Sequence, residues 1–212
     1  ADAIASGRIG RPAFVDTTFT FAVRDRSNIR LSAELAGGAL LDVGCYTVDV
    51  ARRLLGEEPE SVTAFARFDP GDGASDAATS GNAPGVDLEA AASLRFPSGA
   101  VANATSALTL PRRERVEVRG DEGSLRFERA FLPGPDATEL TFGAADGSES
   151  REPVRGQDPY LAMVEAFAAR VRGRPLAAAP ASDAAEAART VRVLEAAAGS
   201  ARDGGTVRAL AS

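Results

Sequence analysis

From Ala13 to Val23 the chain alternates strictly. Val15, Thr17, Phe19, Phe21 and Val23 fall on one side, and Phe14, Asp16, Thr18 and Thr20 on the other, as in a half-buried strand. Between Gly37 and Gly56 the period becomes helical. At about 100° per residue, Asp42, Tyr46, Asp49 and Arg53 share one arc, with Leu41, Gly44, Val48, Ala51 and Leu55 nearly opposite. Gly44 and Ala51 would let another backbone come close, and Gly56 can close the helix in the left-handed conformation. Alternation returns over Ser61 to Phe68 and again over Val86 to Phe96. There Pro97-Ser98-Gly99 turns the chain into a partner strand, Ala100 to Leu110. A second hairpin joins Glu114–Arg119 to Ser124–Glu128 through Gly120-Asp121-Glu122-Gly123, and a weaker strand covers Thr138 to Phe142.

Two helices follow. Asp158-Pro159 caps the first, whose stripe of Leu161, Val164, Phe167 or Ala168, and Val171 runs to Gly173. The second opens at Ser182 or Asp183, carries Val191 and Leu194, and ends by Gly204-Gly205. Thr206 to Leu210 reads as a last strand and the residues up to Gly7 as the end of a helix, while 24–36 is irregular and 69–84 a long exposed loop. Short turns make antiparallel pairs, whereas parallel pairs need long crossovers. The pattern therefore predicts an α+β fold: a mostly antiparallel, open-faced β-sheet with α-helices packed on one face. Its uncovered face is expected to carry Phe19, Phe21 and Val101, and so to seek a partner, most simply a second copy of the chain.

Composition narrows the chemistry. The 212 residues, 44% of them hydrophobic and 25% charged, suit one sizeable core. A formal charge of -6 argues against nucleic acid as a partner, and the basic run Arg112, Arg113, Arg115 is diluted by Glu114 and Glu117, as on a solvated strand edge. No apolar run is long enough for a membrane span, and residues 1–10 hold no leader, so a cytoplasmic location is expected. Because position 1 is Ala, the chain is expected to be an excised or processed piece. There is no histidine, every basic residue is arginine, and there is one cysteine. These absences exclude Ser-His-Asp and Cys-His machinery, a Schiff-base lysine, a P-loop and a histidine metal site, and zinc would lack both its usual nitrogen and a second thiolate. Acid–base work must fall to carboxylates, the thiol, Tyr46 or Tyr160.

Asp42, Cys45 and Tyr46 emerge together just behind Gly37-Gly38, which marks the place for a site. Each also has a plainer reading. A first-turn Asp favours the helix dipole, a Tyr on a helix shoulder can simply pack, and Cys45 reads as a small buried hydrophobe.

These residues resemble a known family. Gly37 through Tyr46, Asp49-Val50-Ala51-Arg52 and Leu55-Gly56-Glu57-Glu58-Pro59 look like the C-terminal domain of the Gfo/Idh/MocA oxidoreductases. The likeness is to the branch of glucose–fructose oxidoreductase, dimeric dihydrodiol dehydrogenase and xylose dehydrogenase. Phe96 to Ala100, Gly120 to Leu125, and Tyr160 through Phe167 to Gly173-Arg174-Pro175-Leu176 follow in the same order. The resemblance implies that residues 1–212 form one substrate-binding and dimerisation domain, with the nucleotide-binding domain lying outside this chain. It implies an oxidoreductase moving a hydride between NADP or NAD and a CH–OH group of a sugar, polyol or diol. Tyr46 would be the acid/base, a position where many relatives have His. Asp42 and Tyr160 would contact substrate, Ile29 and Arg30 would lie toward the cofactor, and no metal is implied. A phenol of pKa about 10 needs a cation to serve as a base. In the family that cation is a Lys of a Glu-Lys-Pro motif in the nucleotide domain. Gly71-Asp72-Gly73 lacks the context and the third glycine of a dinucleotide fingerprint, so the chain alone is expected to be inactive. The competing reading is a stand-alone, non-catalytic sugar-binding or assembly module.

Overall fold

The computed structural model describes residues 2–69, 85–174 and 184–210. The loop expected over 69–84 (Asp69 excepted), Gly71-Asp72-Gly73, the Pro175-Leu176 end of the last motif and the helix start at Ser182 or Asp183 lie outside these residues. In chain order the elements are α1 (Asp2–Ala5), β1 (Pro12–Ala22), α2 (Cys45–Leu55), β2 (Ser61–Phe68), β3 (Asp87–Arg95), β4 (Val101–Ala107) and β5 (Thr109–Gly120). Then come β6 (Gly123–Glu128), β7 (Thr138–Ala144), β8 (Glu149–Val154), α3 (Pro159–Val171), α4 (Ala184–Arg202) and β9 (Arg208–Ala209). A 3-10 turn covers Ile29–Leu31, and a π-helical turn, Leu40–Gly44, leads directly into α2.

The strands form one sheet in the order β8-β7-β6-β5-β1-β4-β3-β2-β9. Every pairing is antiparallel except β1 with β4. That pair is parallel because the chain crosses over the sheet through α2 before returning. The expected α+β sheet is present. β8 is an addition, since its alternation of Glu, Arg and Ser on an exposed edge carries no apolar signal.

Val15 and Thr17 share a face with Ala102, Ala104, Val116 and Val118, and α2 covers it with Val48 and Ala51. Leu194, Ala197 and Ala201 of α4 join the same core over Ala64, Ala90 and Ala92. Alanine on the sheet lets the helices lie close, which buries apolar surface without large side chains. The edge of β2 is closed as well: Ser200 Oγ accepts from Ala64 N at 2.9 Å, and β9 covers the first residues.

Two expectations about faces are corrected. Phe19 and Phe21 do not lie on the uncovered side. Phe19 shares the helix-covered face with Val15 and is 5% exposed, while Val101 pairs with Phe14 on the opposite face. Alternation separates two faces without saying which one the helices will cover. The open face is mostly polar and paired, with Arg119–Asp16 at 3.3 Å, Arg67–Glu89 at 2.7 Å and Ser93–Asn103 at 2.8 Å. The Arg112–Arg115 run is no strand edge either, because β5 lies between β6 and β1 and Glu114 is buried.

Arg52 ties α2 to α4. It is buried, with Nε 2.8 Å and Nη2 2.6 Å from the Glu58 carboxylate, Nη1 2.6 Å from Thr190 Oγ1, and Nη2 3.3 Å from Glu186. Replacing one partner of a buried pair strands the other charges. Arg52→Met should therefore cost about 2–3 kcal/mol, less than a fully buried pair because Glu58 stays half exposed. Urea denaturation checks this; an unmoved midpoint would show that the clamp adds nothing.

Candidate functional site

Gly37 and Gly38 shape the turn that carries the candidate residues. A Cβ on Gly37 would sit 2.4 Å from the carbonyl oxygen of Arg30, and one on Gly38, at φ 118°, 2.3 Å from Asp87 Oδ1. No side chain fits at either position. Gly38 N donates to Arg30 O at 2.9 Å and Gly37 N to Ser32 O at 2.9 Å, so the 3-10 turn bearing Ile29 and Arg30 is stitched to the start of the helix. Asn28 Oδ1 caps that turn by accepting from Arg30 N at 3.1 Å.

The first helical turn is wider than sequence periodicity predicts. Over Leu40–Gly44 it is π-helical, which turns Leu41 out to solvent, 45% exposed, instead of into the core. Asp42 faces the 3-10 turn, and its Oδ2 accepts from Arg30 Nε at 2.8 Å. One turn further on, Tyr46 is 49% exposed and borders a cleft of about 360 Å³. Its ring meets Phe19 edge-on at 5.7 Å and Phe131 at 6.1 Å, and those two phenylalanines stack at 5.0 Å with their planes 1° apart. The Arg30 guanidinium lies 5.8 Å from the Phe21 ring. Apart from Asp49, the rest of the cleft is apolar, lined among others by Val50, Leu54, Leu125 and Leu140.

Arg30, Asp42 and Tyr46 are thus neighbours. Tyr160 is exposed at the start of α3 behind its Asp158 cap. Ile29 is exposed on the 3-10 turn. Burial raises the Tyr46 phenol above its usual value, and Cys45, Tyr160 and Asp42 push the same way, against Arg30 alone. Burial pushes the Cys45 thiol up to about 11, and its Sγ lies 3.5 Å from Asp42 O; it is no thiolate near neutrality.

Sequence reasoning missed three residues of this neighbourhood. Phe131 supplies a wall of the cleft. Glu114 holds it there: buried beneath, its Oε2 accepts from Phe131 N at 3.1 Å and Leu132 N at 2.7 Å, while Arg112 Nε donates to Oε1 at 2.9 Å. Asp87 accepts from Leu40 N at 2.6 Å. The only sequence signal was at Glu114, a carboxylate in phase with Val116 and Val118; Asp87 holds the polar phase between Val86 and Leu88 and gives none. Among the described residues, no group of three or more Cys, Asp or Glu is arranged to hold a metal, and no helix is long and apolar enough to cross a membrane.

Residues 1–126 match the family model described as the GFO/IDH/MocA C-terminal domain. A D-xylose 1-dehydrogenase (NADP(+)) of Haloferax volcanii is 33% identical over 209 residues, covering 98% of this chain and 59% of that protein. A dTDP-3,4-didehydro-2,6-dideoxy-α-D-glucose 3-reductase of Streptomyces violaceoruber is 33% identical over 81% of this chain and 47% of its own. Among solved structures, an aldose–aldose oxidoreductase from Caulobacter crescentus, complexed with glycerol, superposes with TM-score 0.79 at 28% identity, covering 99% of this chain and 58% of that one. KijD10, a 3-ketoreductase from Actinomadura kijaniata in complex with NADP and TDP-benzene, gives TM-score 0.80 at 25% identity over 95% and 57%. The chain spans about half the length of the curated relatives it matches. With the helix-carried motif at Gly37–Tyr46, the sheet order and these matches in agreement, the chain belongs to the GFO/IDH/MocA C-terminal domain family.

Proposed function

We propose that this chain is the substrate-side domain of an NADP- or NAD-dependent oxidoreductase acting on the CH–OH group of a sugar, polyol or diol. One observation carries the reading: the Arg30–Asp42 pair, 2.8 Å apart, sits one helical turn from the half-exposed Tyr46 phenol at the mouth of a cleft. The relatives named above, with xylose, aldose and deoxysugar substrates in their names and NADP in two of them, support it.

The nicotinamide cofactor, when bound, supplies or accepts the hydride. The described residues offer it only one side of a pocket, with Ile29 as an exposed apolar contact and Arg30 as a fixed cation beside it. Its phosphates need a cradle from elsewhere in the full-length protein. Tyr46 handles the proton. When a carbonyl is reduced, the phenol gives its proton to the developing alkoxide; in the opposite direction the phenolate takes the hydroxyl proton as the hydride leaves. Burial raises its pKa, so the phenol keeps its proton near neutrality while being a weaker acid than a free tyrosine. Accepting a proton requires a cation stronger in effect than Arg30, supplied by the rest of the protein. Asp42, held by Arg30, accepts from a neighbouring sugar hydroxyl, and Tyr160 borders the same substrate. Phe19 and Phe131 give its apolar C–H face a surface. A second copy is the proposed partner across the open sheet face, where Phe65, Ala91 and Leu110 gather.

In the full-length oxidoreductase, Tyr46→Phe should lower kcat by about 10²–10⁴-fold with little change in KM, since only the proton transfer is removed. Near-normal turnover would take Tyr46 out of that role. In this chain, ultraviolet titration of the phenols should place Tyr46 above the ordinary tyrosine range. Arg30→Ala should raise it further by deleting the cation that opposes burial and the neighbouring carboxylate. A fall in the Arg30→Ala variant is incompatible with the proposed electrostatics. Light scattering should find a dimer or larger assembly, and a clean monomer removes the second copy.

A further inference from the structure

Asp87 sits at the first position of β3, buried, and lines a different cleft from Tyr46's, together with Gly37 and Leu40. Its Oδ2 accepts from Leu40 N at 2.6 Å, and its Oδ1 fills the space where a Gly38 side chain would stand. From there the bonding runs on without a break. Gly38 O accepts from Asp42 N at 3.0 Å, Gly38 N donates to Arg30 O at 2.9 Å, and Arg30 Nε returns to Asp42 Oδ2 at 2.8 Å. Every link past Asp87 is backbone or the site's own ion pair, so among the described residues the Asp87 carboxylate is the side chain that hydrogen-bonds this ring to the sheet.

We propose that Asp87 is a positioning residue: it fixes the π-helical turn through the Leu40 amide and by filling the space over Gly38, and thereby sets the geometry of the Arg30–Asp42 pair and of Tyr46. The inference rests on the function proposed above for those three residues. An amide–carboxylate contact at a helix start is strongest when the carboxylate is charged. Burial opposes that charge and raises the Asp87 carboxyl to about 6, with its backbone bonds and Arg202 acting the other way. The other charged groups around it are Glu195 and Arg202 of α4, which line the cleft it borders, Asp42 on the turn itself, and the Arg26–Asp69 pair (3.1 Å) at the neighbouring strand end, where Asp69 N donates to Val86 O. While Asp87 stays buried, losing the Leu40 amide bond would raise its carboxyl further, so ionisation favours the gripped turn, which is held firmly above that midpoint and slackens as Asp87 is protonated below it.

The chain has no histidine, so no side chain with an ordinary pKa titrates beside Asp87 near pH 6. The test is an NMR titration of the chain that follows the Asp87 carboxyl carbon, the Leu40 amide and the Arg30 Nε–H. All three should step at one midpoint near 6. In Asp87→Asn, which keeps an acceptor for Leu40 N but cannot ionise, the Arg30 step should vanish. In the full-length oxidoreductase the same variant should lose about three- to tenfold in kcat at neutral pH, keep KM within about twofold, and lose any acid inflection near 6. An Arg30 signal that stays still while Asp87 titrates overturns the proposal. So does an Asp87→Asn enzyme with wild-type kcat and pH profile where Tyr46→Phe is disabled. If Arg30 follows Asp87 but turnover ignores Tyr46→Phe, the positioning stands and only the assignment of Tyr46 falls.

Discussion

Two glycines with no room above them hold the candidate site together. At Gly37 and Gly38 the backbone passes so close to the Arg30 carbonyl and the Asp87 carboxylate that any side chain would force one of the three segments away. Backbone contact at this range is stiffer than contact between long side chains, because few torsions remain to absorb a displacement. The π-helical turn starts in the same crowded place. Its start is bonded to Asp87 and its neighbour is the 3-10 turn, and the chain makes a wider first turn before settling into the regular helix at Cys45. Within that turn Asp42 meets Arg30, and Leu41 is left outside.

The neighbourhood has two characters, and each is built by a different device. Its polar side is a single ion pair, partly screened by water and held in place by main-chain bonds. Its apolar side is aromatic, with Phe131 laid flat on Phe19 by a buried glutamate that grips two consecutive amides. Tyr46 stands on the boundary, its ring edge in the aromatic group and its remaining surface open to the cleft. A group at such a boundary is dry enough for its ionisation to be shifted and accessible enough to exchange a proton.

Local patterns were legible in the sequence wherever one element's periodicity decided them. The strands at Ser61–Phe68 and Ser124–Glu128 and the Asp158-Pro159 cap were readable because alternation, turn residues and a capping carboxylate each act within a few positions. Phe19 was placed on the wrong face because parity names two sides of a strand and only the later helices decide which is covered. β8 was missed because an exposed edge needs no apolar alternation. At the site, the grouping of Asp42 with Tyr46 came from helical spacing and the involvement of Arg30 from family resemblance. The contributions of Phe131, Glu114 and Asp87 depend on contacts between segments tens of residues apart, which no local window contains.

The open face of the sheet has its charges already matched within the same surface, Arg119 to Asp16 and Arg67 to Glu89, with Arg126 and Glu149 3.6 Å apart farther along. Such a surface projects little field beyond a few ångströms, because each cation is cancelled by its neighbour before it reaches bulk solvent. A molecule approaching it is not drawn in from a distance. Encounter there is ordinary diffusion, slow and nearly indifferent to ionic strength, and discrimination comes only at touching distance through fit.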